Sequence, residues 1–200
     1  IAKIKLINVG WQDELLNSIE ASSNFSKEQI LSVFPEGYIS ILKFYLTKIN
    51  DKMTKESTKI NLSKMGTTEK IKKIILVRFK INQENKELIK KTFFFLMHPK
   101  NNKILIKTIY NIVDQIWFIA KDESTDFNFY SKRLILSAIY IRTMIFWLKT
   151  DRKIYEIEKY LDKELKKTSK IPKIKSQLQN PFKILNELLN ISKNFSFFKQ

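Results

Sequence analysis

Three glycines and four prolines are all that punctuate 200 residues. A chain of many short strands spends such residues on its turns, so this scarcity excludes an all-β fold. Between the punctuation marks, apolar residues recur at intervals of three and four, the period of a helix with one buried face. Trp11, Leu15, Leu16 and Ile19 follow it, and Ser26 with Gln29 forms a capping box opening a short helix that stops at Phe34-Pro35. Ile41, Leu42, Tyr45, Leu46, Ile49 and Met53 mark a longer helix after Gly37. Segments 67–82 and 86–97 follow, the second ending before Pro99.

From Asn101 to Lys121 the period is strongest, through Leu105, Ile109, Ile112, Val113, Ile116, Trp117 and Ala120. Phe127 to Leu148 is apolar almost all round, which implies burial on more than one side. Its longest apolar stretch, 134–148, is interrupted by Arg142 and falls short of the roughly 20 residues a spanning helix needs. Tyr155–Leu165 supplies another helix, and Asn180-Pro181 reads as an N-cap opening a last one. The expected architecture is all-α, with about nine or ten helices.

Chemistry is narrowed by what is missing. Zero Cys excludes disulfides and thiolate sites, and a lone His98 excludes any site with two histidine ligands. The dispersed Gly10, Gly37 and Gly66 cannot build a phosphate loop. No catalytic cluster, metal or cofactor is expected. Net charge is +17, from 37 basic and 20 acidic residues. Only four of the basic residues are Arg, where base-reading proteins favour bidentate arginine. Lysine excess is compatible with an anionic membrane surface, with nucleic acid, or with a compositional bias that also raises Ile and Asn.

One segment stands apart, Asp122-Glu-Ser-Thr-Asp-Phe-Asn-Phe-Tyr-Ser-Lys-Arg133. Its polar start is good N-cap material and its aromatics could be plain core. The run also resembles the signature of the lipid-binding accessory protein family of coenzyme Q (ubiquinone) biosynthesis. Flanking agreement includes Val113-Asp114-x-x-Trp117, Ala138-x-Tyr140, Tyr160–Leu165, Gly10-Trp11 and Phe34-Pro35-x-Gly37. The family's usual Trp is Phe129 here.

The resemblance implies a TetR-regulator-like fold. Residues 1–57 would form a degenerate helix-turn-helix part, and 67–168 a lipid-binding domain dimerising through about 127–149 and 152–167. A linker, 169–179, would lead to an amphipathic helix over 180–200. With room for only one short helix between the first helix and Phe34-Pro35, DNA is not an expected partner; a ligand-responsive TetR-type transcription regulator is the alternative function. An isoprenoid quinone would sit in an apolar pocket whose candidate lining is Phe79, Phe94, Ile109, Ile116, Trp117, Tyr140 and Phe146, each equally serviceable as core. Asp114, Phe129, Tyr130 and Arg133 would meet the demethoxyubiquinone hydroxylase, with Phe129 or Tyr130 as an exposed aromatic beside Arg133. Phe182, Leu185, Leu188 and Leu189 would rest on the membrane, where each buried Leu or Phe gains about 1.5–3 kcal/mol. The expected product is a non-catalytic carrier, peripheral to the bacterial inner membrane or, alternatively, to the matrix face of the mitochondrial one.

Overall fold

The computed structural model describes residues 2–149 and 153–169. The expected tail helix, with Phe182, Leu185, Leu188 and Leu189, lies outside the described residues. Those described form an all-α fold with no strand among them: α1 (Ala2–Val9), α2 (Glu14–Glu20), α3 (Lys27–Val33), α4 (Tyr38–Ser57), α5 (Thr67–Gln83), α6 (Lys86–Met97), α7 (Asn102–Ile119), α8 (Asp126–Leu148) and α9 (Ile154–Ser169). None of these is both long and apolar enough to cross a membrane.

The three short N-terminal helices pack in sequence, α1 on α2 and α2 on α3, while α1 also leans on α6. Trp11 fastens this part to the body, because its buried indole N–H donates to Thr92 Oγ1 of α6 at 3.0 Å. The capping box opens α3 as read: the Ser26 N–H donates to Gln29 Oε1 at 2.9 Å, and the Gln29 N–H returns to Ser26 Oγ. Pro35 stops α3, and Gly37 starts α4 at φ +57°, a conformation that disfavours side chains. A Cβ there would also meet Leu16 Cδ1 at 3.2 Å, so the turn admits little but glycine.

Between the segment read as the first helix, which forms α2, and Pro35 there is one helix, α3, as expected; what the sequence reading missed is α1, which precedes them and makes α2 and α3 the second and third helices. Among the described side chains of α1, Leu6 alone is buried in the core, too little to leave a helical stripe in the sequence.

In the body, α4 lies on α5 and α7, α5 on α9, and α8 on α7 and α9. Ile71, Ile74, Ile75 and Phe79 of α5 are fully buried or nearly so, which makes α5 the core's central strut. Phe79 meets Trp147 edge-on at 5.3 Å and Tyr140 at 6.0 Å. A 3-10 turn at Pro99–Asn101 breaks α6 from α7, and His98 caps it by accepting the Lys100 N–H at 3.3 Å.

Candidate functional site

The turn between α7 and α8 is closed by backbone hydrogen bonds before any side chain acts. Lys121 sits at φ +60°. Its N–H donates to Phe118 O at 3.0 Å, and the Asp122 N–H to Trp117 O at 3.1 Å. This is a Schellman ending, with lysine where glycine would be free of strain. It swings Asp122 back beneath the first turns of α8.

There the Asp122 side chain, 5% exposed, receives three groups. Lys132 Nζ approaches Oδ1 at 2.7 Å, the Ser124 hydroxyl donates to Oδ2, and Arg133 Nη1 lies 3.7 Å away. Burial raises the carboxyl pKa, but the Lys132 and Ser124 hydrogen bonds and the two cations outweigh it, so the net shift is downward. Arg133 is itself 7% exposed. Its Nε donates to Asp114 of α7 at 2.7 Å, and its Nη1 to the Phe129 carbonyl at 3.2 Å. The guanidinium lies 3.3 Å from the centre of the Phe129 ring, and Lys132 Nζ lies 5.2 Å from the Trp117 ring. Two carboxylates, two cations and two aromatic faces thus tie α7 to α8.

The structure brings the four expected partner-binding residues together but gives them different work. Tyr130 is 68% exposed and Asp114 half exposed, while Phe129 is partly covered by Arg133. Arg133 is not the surface cation pictured from sequence, since both acids and an aromatic face enclose it. Tyr110 and Phe118, one turn either side of Asp114 on α7, are also exposed and extend an apolar surface past it. Sequence reading passed over them because the helical stripe of α7 is defined by its buried face; their signal was apolar residues off that stripe.

Of the expected lipid-lining residues, Phe79, Ile109, Ile116, Trp117 and Tyr140 are buried, and Phe94 and Phe146 half-buried. Phe79 and Tyr140 pack against one another in the core. Phe146 stacks on Tyr160 at 4.1 Å and lines a cleft of about 340 Å³ against α9. A second cleft, of about 420 Å³, lies between α4 and α7 and is lined by none of the seven. The Trp117 indole N–H is buried with no hydrogen-bond partner among the described residues. These residues also hold no group of three or more His, Asp or Glu side chains placed to bind a metal ion.

The COQ9 family pattern matches residues 103–172, which take in α7, the corner and α8. The chain is 27% identical over 156 residues to the mitochondrial ubiquinone biosynthesis protein COQ9 of Bos taurus, covering 74% of this chain and 48% of that protein. It is 26% identical over 154 residues to the Homo sapiens protein of the same name, with the same coverage. The corresponding protein of Dictyostelium discoideum, probable and also mitochondrial by name, is 28% identical over 154 residues, 72% of this chain and 50% of its own. The chain therefore spans about half the length of the curated relatives it matches. With its signature run folded into the charge-locked corner of the matched region, the chain is similar to the COQ9 family over residues 103–172.

Proposed function

We propose that the protein is a non-catalytic accessory of ubiquinone biosynthesis that binds a polyprenyl quinone intermediate and presents it to the demethoxyubiquinone hydroxylase at the membrane. The observation that carries this reading is the corner itself. Its ionic and cation–π contacts hold Tyr130 out of the core, and leaving a large apolar side chain in water forgoes about 1.5–3 kcal/mol of burial. Such an aromatic, pre-positioned beside Tyr110, Asp114 and Phe118, has the make-up of an interface anchor. The relatives' names supply the pathway.

The quinone part is supported by Trp117, whose indole N–H, unpaired among the described residues, suits the kind of acceptor a quinone carbonyl offers. Lipids extracted from the purified protein and weighed by mass spectrometry test it. A polyprenyl quinone precursor is expected with wild type and reduced with Trp117→Phe; protein consistently free of isoprenoid contradicts the reading. A second copy would cover the half-buried Leu134, Ala138 and Ile145 of α8, as the dimer reading requires. The tail would hold the complex on an inner membrane, the mitochondrial one if the relatives' names are a guide, and flotation on liposomes without residues 181–200 tests that step.

The regulator alternative gains from the α2–α3 pair, which has the order of a helix-turn-helix. The first turn of α3 is ill-suited to a duplex, however. Lys27 Nζ is engaged with Asn17, Glu28 is acidic, and Gln29 is spent on the cap. Sequence-selective, salt-resistant shifts of duplex DNA would favour the regulator.

A further inference from the structure

The cleft between α4 and α7 lies at the opposite end of α7 from the signature corner. Leu46, Ile104 and Ile112 give it an apolar floor, and Lys103, Lys107 and Asn50 give it donors. No Asp or Glu lines it. Lys43, at its rim, is neutralised by Glu36. Lys103 and Lys107, one turn apart on the same face, have no carboxylate partner among the described residues.

A buried cation stands behind this wall. Arg78 is 2% exposed, and its described partners are neutral: the Tyr140 hydroxyl at 2.9 Å, Asn50 Oδ1 at 2.6 Å and Met53 Sδ at 3.8 Å. Holding Asn50 by its oxygen leaves that amide's two N–H protons for the cleft. The first turn of α7 adds the positive end of an 18-residue helix. The cleft therefore combines a positive field with an apolar surface, in a volume of about 420 Å³ that suits a small organic ligand.

We propose that the α4–α7 cleft binds an amphiphilic phosphate monoester, its phosphate oxygens on Lys103, Lys107 and the Asn50 amide and its hydrocarbon on Leu46, Ile104 and Ile112. Lysines acting as point charges, with an amide donor between them, suit a group with three acceptor oxygens. This site does not rest on the quinone reading, because a quinone is neutral and the assay below reads an anion.

Isothermal titration of the full chain with octyl phosphate below its micelle concentration, with inorganic phosphate and with octanol tests the proposal. Octyl phosphate should bind at least about tenfold tighter than either half-ligand, since both surfaces contribute. Lys103→Gln with Lys107→Gln should weaken it by about 10–100-fold, whereas Lys55→Gln with Lys80→Gln, exposed lysines outside the cleft, should leave it unchanged. Ile104→Ser should weaken octyl phosphate and spare inorganic phosphate. Equal losses in both lysine pairs would show general charge attraction and overturn the site. Equal affinity for octyl phosphate and inorganic phosphate would overturn its amphiphilic character. Competition separates the sources: displacement by phosphatidic acid vesicles assigns the site to a lipid headgroup, and its absence to a soluble phosphate monoester.

Discussion

Arg133 and Arg78 are both buried arginines that donate to a neighbouring helix, yet their surroundings are opposites. Arg133 lies between Asp114 and Asp122 with the Phe129 ring against its plane. Arg78 has a phenol, an amide oxygen and a thioether. Nearby, burial pushes the Tyr45 phenol up to about 12 despite the opposing pull of Arg78, so no anion is available there at neutral pH. A guanidinium balanced by two acids is a fastening, whose removal leaves both acids short of a cation. One solvated by neutral dipoles is a source of field, and its neighbourhood is where a charged ligand gains most.

That contrast makes Arg133→Met the most damaging change, with a loss of about 2–4 kcal/mol in chemical denaturation, because Asp114 and buried Asp122 both lose a cation while Lys132 still holds Asp122. Arg78→Met should cost less, about 1–3 kcal/mol, from the unpaired Tyr140 hydroxyl and Asn50 oxygen. Equal losses at the two sites would break the comparison.

Acid should loosen the corner. The Asp122 pKa is lowered in the folded state, so its contribution is complete above the unfolded value of about 4 and is lost as pH falls through the folded one. Stability measured from pH 6 to pH 2 should fall less steeply in Asp122→Asn than in wild type; parallel curves would deny the carboxylate its role. The smallest effect runs the other way. Lys121→Gly relieves the left-handed residue of the Schellman ending and should raise stability by about 0.5–1 kcal/mol. A loss there would mean that the Lys121 side chain itself supports the corner.

How much of this was legible beforehand differs between the same regions. Helices α2 to α9 follow from stripes and caps, since the Leu15–Leu16–Ile19 and Ile109–Ile112–Ile116 spacings and the Ser26–Gln29 box are local facts. The all-α class follows with them. Helix α1 was illegible because, among its described side chains, a single core residue, Leu6, leaves no period to read. The signature residues could be picked out as a run, and the structure does gather Asp114 with Phe129, Tyr130 and Arg133. Which of them faces water could not be read, because that depends on the Lys121 turn and on Asp122 folding back, neither of which has a sequence period. Arg78 and the α4–α7 cleft were missed for a related reason. Asn50, Arg78 and Tyr140 are far apart in the chain and meet only through helix packing.

The proposed role of the corner is to present Tyr130 to another protein. Its most direct measurement is the dissociation constant for the demethoxyubiquinone hydroxylase, compared between wild type and Tyr130→Ala at matched thermal stability. Tyr130 is exposed and takes no part in the ionic fastening, so the substitution should leave the melting temperature within about 2 °C and weaken binding at least about tenfold. An unchanged dissociation constant, with the fold intact, would contradict the claim and leave the corner a fastening alone.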